Sequence, residues 1–321
     1  MADWRPAASL EMLRLRAQLL QRTRAFFAER DVLEVETPVL SRAAPSDPAM
    51  ESFVTRDGGQ APRYLHTSPE FAMKRLLASG TGAIFQLARV FRRGEAGSRH
   101  NPEFSLLEWY RPGFDHHQLM AEVDALVREL LAQHLLLGPA QQISYQEAFQ
   151  RHAQLDPLAA SLPQLKAAIT AHGIDITGLG DDDRDAWLDL LFSHVVEARL
   201  PRDCPVFVYD YPASQAALAR LSEENPAVAQ RFELFINGME LANGFHELTD
   251  AQQQRQRFEH ELRIRARRGL SAGPLDQHLL DALQAGLPDC AGVALGFDRL
   301  LMLAGGQSAI GSVLAFDHRR A

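Results

Sequence analysis

The chain has 321 residues, 46% of them hydrophobic, and carries 41 acids against 33 Lys and Arg, for a net charge of −8 and a pI near 5.8. That suffices for a substantial core. The acidic balance argues against a protein whose main task is neutralising nucleic-acid phosphates, although a few arginines can still grip a small anion. Only Cys204 and Cys290 are present, without metal-like spacing, so a disulfide framework is not expected. With no basic-then-apolar leader and no apolar run of bilayer length, a cytoplasmic protein is expected. Lys74 and Lys166 are the only lysines, and a GC-rich genome explains that bias most simply.

In chain order, Leu10, Leu13, Ala17, Leu20 and Phe27 recur at helical spacing, so residues 9–30 read as an amphipathic helix. DVLEVETPVLS reads as a short strand ended by Pro38, and 43–59 as a loop. TSPEFAMKRLLASG is a helix with Ser68 as N-cap, Pro69 at the first helical position, Glu70 in the first turn and Gly80 at its close. AIFQLARVFRR and EFSLLEWYRP are strands joined by the polar loop GEAGSRHNP. A helix follows over 117–137, and 144–200 is mostly helical without readable chemistry. DCPVFVYDYP is a strand, and RFELFINGMELANGF is a hairpin turning at Asn237-Gly238. A long polar helix begins near Asp250, and AGVALGFDRLLMLAG is a strand running into a helix. Hairpins between helical blocks imply an α+β fold with an antiparallel sheet, read as one domain over 1–321.

The hairpin carries acids. A two-residue turn places Phe235 opposite Glu240 and Glu233 opposite Ala242, so these four share one face. Two carboxylates this close repel, and a hard cation such as Mg²⁺ is their natural companion. Glu247 falls on the opposite face in a regular strand, and a bulge at Gly244 would turn it back. An isolated hairpin with this pattern is more simply a solvated sheet face. Arg92 and Arg299 present forks that match phosphate or carboxylate, and each has a structural ion pair as its plainer explanation, Arg299 with Asp298 for instance.

In combination these segments resemble the catalytic domain of class II aminoacyl-tRNA synthetases over nearly the whole chain. DVLEVETPVL is similar to the first motif, FRRGEAGSRHNPEFSLLEWY to the second and ALGFDRLLML to the third. RFELFINGMELANGFHELTDAQQQRQRF resembles lysyl-tRNA synthetases in particular. The resemblance implies that Arg92 grips the α-phosphate of ATP and the substrate carboxylate region, stabilising charge as pyrophosphate leaves, and that Arg299 holds the γ-phosphate. It implies ATP contacts from Arg93, Gly94, His100, Asn101, Phe104 (stacked on adenine), Glu240, Leu241 and Gly296. Glu233 and Glu240 would bind Mg²⁺. Ser68, Pro69, Asn243 and Ala294 would line the amino-acid pocket, where Glu70 meets one amine and Tyr110 with Glu247 a second. Pro38 would belong to a homodimer interface.

Lysyl-tRNA synthetases carry an N-terminal barrel that reads the anticodon, whereas this sequence opens on the first-motif helix, so no tRNA partner is expected. In length and ending it resembles the elongation factor P–lysine ligases, synthetase paralogues that activate (R)-β-lysine as an adenylate and pass it to a lysine of elongation factor P. Ser68 stands where lysyl-tRNA synthetases usually have Ala, and Ala294 where they have Gly. Neutral drift is the plain alternative, but two changes in one pocket fit a shifted amino group, at about 1–3 kcal/mol per pocket methylene. Gly94 replaces the acid expected near adenine, with Glu95 one position along. A lysine-activating enzyme with another acceptor and an inactive regulatory paralogue are the competing readings. Glu247 with Tyr110 argues against a neutral substrate side chain, and intact Arg92, Glu233, Glu240 and Arg299 argue against inactivity.

Overall fold

The computed structural model describes residues 4–56, 59, 61–175, 180 and 183–321. The chain divides into two compact units, one formed by 1–136 with 247–321 and the other by 137–246.

In the first unit the helix Leu10–Ala28 starts at Ser9, whose hydroxyl accepts the Met12 N–H. It buries Leu19, Phe26 and Phe27. Phe27 stacks on Phe85 at 4.4 Å and meets the edge of Trp109 at 5.4 Å, fixing the helix to the strands. Ile84–Phe91 and Glu103–Pro112 pair antiparallel, and Glu103–Pro112 pairs antiparallel with Cys290–Gly296. Leu33–Glu34 adds in parallel to Ile84–Phe91. The short strand read as ended by Pro38 is only Leu33–Glu34, and beyond the proline Leu40–Ser41 turns away to pair with Arg63–Leu65. The small sheet completed by Val54–Thr55 was not anticipated; each member is too short for a periodic signal.

Register decides which side chains share a face. Tyr110 lies opposite Ile84 and Gly292, Glu108 opposite Gln86 and Ala294, and Leu106 opposite Ala88 and Gly296. Directly opposed residues project together. One face therefore carries Tyr110 and Glu108 beside Gly292, Ala294 and Gly296, which add almost no bulk. The helix Glu70–Ala78 begins one residue later than the sequence suggests, with Pro69 at its N-cap.

In the second unit Val206–Pro212, Val228–Ile236 and Met239–His246 form an antiparallel run, with Gln141–Ser144 added in parallel. Helices Tyr145–Ala153, Leu162–Ala171 and Arg184–Leu191 realise the helical block. Tyr145 packs within 4.7–5.3 Å of Phe149, Tyr211 and Phe192. Asn237 and Gly238 both take positive φ, 53° and 66°, as a tight hairpin turn demands.

Candidate active site

The first unit contains a buried acid cluster. Ser68 is held just before the helix Glu70–Ala78 by accepting the Glu70 N–H at 3.0 Å, and its own hydroxyl donates to Glu108 Oε2 at 2.7 Å. Tyr110 donates to the other oxygen of Glu108, also at 2.7 Å. Lys74, one helical turn beyond Glu70, reaches Glu70 Oε1 at 2.7 Å and Glu247 Oε2 at 2.6 Å. Lys74, Glu108, Tyr110 and Glu247 are all buried. Burial and then the charge of Glu70 push Glu108 up to about 8, against the pull of its bonds from Ser68 and Tyr110. Burial likewise raises Glu247 to about 8, with Lys74 pulling it down and Glu70 pushing it up. For Lys74 burial opposes the charge, yet Glu247 and then Glu70 reverse the balance and hold the ammonium well above the usual lysine range. Tyr110 is raised well above a free phenol by burial and then by Glu108, so it stays protonated and donating.

The polarity of the cluster follows. Ser68 and Tyr110 spend their hydrogens on Glu108, so their oxygens can only accept further, beside carboxylates that only accept once they are ionised. An ammonium group has donors and no acceptor, and is the chemical complement of such a pocket. Gly292 matters here: a Cβ added to it would run into the Tyr110 ring and Glu247 Oε1.

The arginines lie elsewhere in the same unit. Arg92 continues the strand, its N–H bonded to Pro102 O at 2.9 Å, and its guanidinium stands 5.1 Å from the Phe104 ring. Glu95 approaches it at 3.7 Å. Gly94 has φ +84°, a left-handed turn where a side chain is strained, which explains why an acid is absent there and why Glu95 is the one to reach Arg92. Arg93 points outward, 3.9 Å from Glu51. Arg299, in the first turn of Phe297–Ala304, contacts His100 Nε2 at 2.8 Å. Asp298 instead pairs with Arg16 and accepts the Ser105 N–H, so the suggested Arg299–Asp298 pair does not form. Asn101 is buried, its amide donating to Glu103 O and its oxygen accepting the His318 N–H.

The second unit holds the other acids. The hairpin register is as expected at Met239 and Glu240, but the bulge comes at Leu241, not Gly244. Ala242 is thereby turned off the acid face and Asn243 takes its place opposite Glu233. Arg231 binds this face as a fork, donating from Nη2 to Glu233 at 2.5 Å, from Nε to Asn243 at 3.2 Å and from Nη1 to Gln215 O at 2.8 Å. Tyr211 donates to Glu233 Oε2 at 2.7 Å. Glu233 and Glu240 line a cavity of about 160 Å³ with Asp189 and Tyr145. Burial, eased by Arg231 but reinforced by Glu240, lifts Glu233 to about 7.

The family model for class II tRNA synthetases of the D, K and N type matches residues 1–320. The chain belongs to the class II tRNA synthetase family. Elongation factor P–(R)-β-lysine ligases of Salmonella dublin, Salmonella paratyphi B and Salmonella heidelberg are each 52% identical to it over 327 aligned residues, covering 100% of this chain and 99% of the relative. As a class II synthetase-like ligase the chain uses ATP chemistry. No helix among the described residues is long and apolar enough to cross a membrane.

Within this family setting, Glu233 and Glu240 fit Mg²⁺ in donor chemistry: two carboxylates on one cavity wall, Glu233 raised by burial and further by Glu240, offer hard oxygen ligands. Among the described residues no group of three or more His, Cys, Asp or Glu forms a metal cluster, so water and phosphate oxygens would complete any coordination. Sequence reasoning missed Lys74 and Glu108. Lys74 was legible as the i+4 partner of Glu70. Glu108, in SLLEWY, was legible as an acid inside a strand otherwise built to be buried, two residues before Tyr110 and hence on its face.

Proposed function

We propose that this chain activates (R)-β-lysine with ATP and transfers it to a lysine of elongation factor P. The substrate carboxylate oxygen attacks the α-phosphorus, the bond to the β-phosphate breaks, and pyrophosphate leaves. The lysine amine of elongation factor P then attacks the acyl carbon, AMP leaves, the new amide forms and the amine proton passes to water. The acid cluster of Glu70, Glu108, Tyr110 and Glu247 carries this reading, because once ionised it fits a substrate with ammonium groups; 52% identity over the whole chain to the ligases supports the acceptor.

In this scheme Glu70 receives the amine nearer the carboxylate and Glu247 with Tyr110 the distal one. Ser68 acts through Glu108, since its hydrogen is already spent there. Ala294, directly opposite Glu108, narrows the pocket above it. Arg92 and Arg299 stabilise phosphate charge, and Phe104 offers its ring to adenine. Glu233 and Glu240 hold Mg²⁺, with Asn243 and Arg231 fixing Glu233 in place. Mg²⁺ bound there supplies a hard divalent charge for phosphate oxygens. A homodimer working in the cytoplasm completes the reading, and exposed Leu33, Val39 and Leu40 around Pro38 suit a subunit contact.

The test is ATP–pyrophosphate exchange with (R)-β-lysine and L-α-lysine side by side, without tRNA, followed by mass measurement of elongation factor P. Exchange favouring β-lysine together with one added lysyl mass is expected. Preference for α-lysine would redirect the search for an acceptor, and no exchange with either would defeat the enzymatic reading.

A further inference from the structure

Lys74, with 1% of its side chain exposed, is set between the two acids that receive the substrate amines. A buried lysine is rare unless paired, and its presence here is counterproductive if the pocket only needs negative charge for a cation. The charge count gives it a purpose. Glu70, Glu108 and Glu247 bring three carboxylates; Lys74 brings one ammonium, and acts on Glu108 as well as on its two direct partners. With all three acids ionised, the state that bound ammonium groups favour, two negative charges are left in excess, and a diamine brings two ammonium groups.

Resting on the amine-site reading above, we propose that Lys74 is a resident ammonium whose charge, set against ionised Glu70, Glu108 and Glu247, leaves the substrate-bound pocket with two negatives. The pocket thereby favours substrates with two ammonium groups over those with one. Lys74 is on this view a specificity-determining residue, not merely a helix ion pair. The physical warrant is that a charge buried without its complement costs far more than it does in water, so an integer mismatch between pocket and ligand is penalised in either direction. Burial raises Glu108 and Glu247 first, and the charge of Glu70 raises both further, so the acids give up their protons when ammonium groups arrive. Glu261, on the helix Ala251–Arg267, also feels Glu70, but weakly; after burial its environment is set by the Ser46 bond, Asp47 and Arg257, so it stands outside the count.

The test compares (R)-β-lysine with 3-amino-6-hydroxyhexanoic acid, which has the same chain but a hydroxyl in place of the distal ammonium, in ATP–pyrophosphate exchange. Glu108→Gln leaves one excess negative and is expected to narrow the preference for the diamine by about tenfold or more. Lys74→Met added to Glu108→Gln restores two negatives and is expected to recover most of that preference. A double variant as undiscriminating as Glu108→Gln, or worse, overturns the proposal, because a purely structural Lys74 can only add damage. If the double variant does not fold, wild-type calorimetry in buffers of different ionisation enthalpy decides: binding the diamine should release more protons than binding the hydroxy analogue, and equal release sinks the idea. Absence of wild-type exchange with (R)-β-lysine would instead fault the functional reading itself.

Discussion

The two units bury acids in different company. In the first, the built-in cation is Lys74, a compact ammonium shared by Glu70 and Glu247, while Glu108 draws in the hydroxyl hydrogens of Ser68 and Tyr110. In the second, the cation is Arg231, whose planar fork spans Glu233, Asn243 and the Gln215 carbonyl and lies 4.4 Å from the Tyr211 ring. An ammonium is a point charge with freely turning donors, so another ammonium can share its partners. A guanidinium locks what it holds. The first arrangement suits amines; the second is a fixed carboxylate with Glu240 beside it, suited to a hard cation. Similar raw material, acids among aromatics, thus takes different chemistry from which base is built in.

Breaking one region should spare the other. Glu247→Gln keeps shape and removes one charge of the amine pocket. The expected loss is about 10²–10³ in kcat/KM for (R)-β-lysine, the scale of unpairing a buried ion, with KM for ATP nearly unchanged. A parallel loss of ATP affinity would show that the acid is not specific to the amine. Glu240→Gln should do the reverse, raising the Mg²⁺ concentration needed for half-maximal exchange by about tenfold while leaving KM for the amine alone. An unaltered Mg²⁺ requirement would remove Glu240 from the metal site.

The contrast also has a pH signature. Glu108 and Glu247 are raised from near 4.5 to about 8. Between those limits the folded, ligand-free chain holds protons that the unfolded chain has released, so these two acids lower stability as pH climbs across that window, and the loss is complete above about 8. Diamine binding favours the ionised acids, so KM for (R)-β-lysine should fall several-fold as pH rises from about 6.5 to 8.5. Melting curves and exchange kinetics over that range check both signs, and a KM that rises instead would contradict the cluster's electrostatics.

Much of this was legible in the sequence, and unevenly so. Asn237-Gly238 gave the hairpin turn because two consecutive positive φ angles demand such residues. The acids Glu233 and Glu240 followed from strand parity near that turn. Parity failed beyond it, at Ala242 and Asn243, because a bulge leaves no trace in composition; only the loss of alternation between Leu241 and Ala242 hinted at it. Glu108 and Lys74 escaped because each looks ordinary in isolation, one in a strand and one on a helix. Their meaning lies in contacts across sequence separations of 40 for Ser68–Glu108 and 173 for Lys74–Glu247. The edge strands Val54–Thr55 and Gln141–Ser144 escaped for want of length.

Gly94 gives the smallest effect and the sharpest test of reading a motif by its letters. The family pattern suggests that restoring an acid there, Gly94→Glu, should improve adenine binding. The backbone says otherwise. At φ +84° a side chain costs about 1–2 kcal/mol, although open space surrounds the position. Relieving that strain would turn the chain at the point where Glu95 approaches Arg92. Gly94→Glu should therefore lower the melting temperature by about 2–4 °C and leave KM for ATP the same or higher. Gly94→Ala, which adds strain without charge, should match the stability loss. If Gly94→Glu tightened ATP while Gly94→Ala did not, the acid would matter more than the turn, and Glu95 would have to be read as a poor substitute instead of the residue this backbone selects.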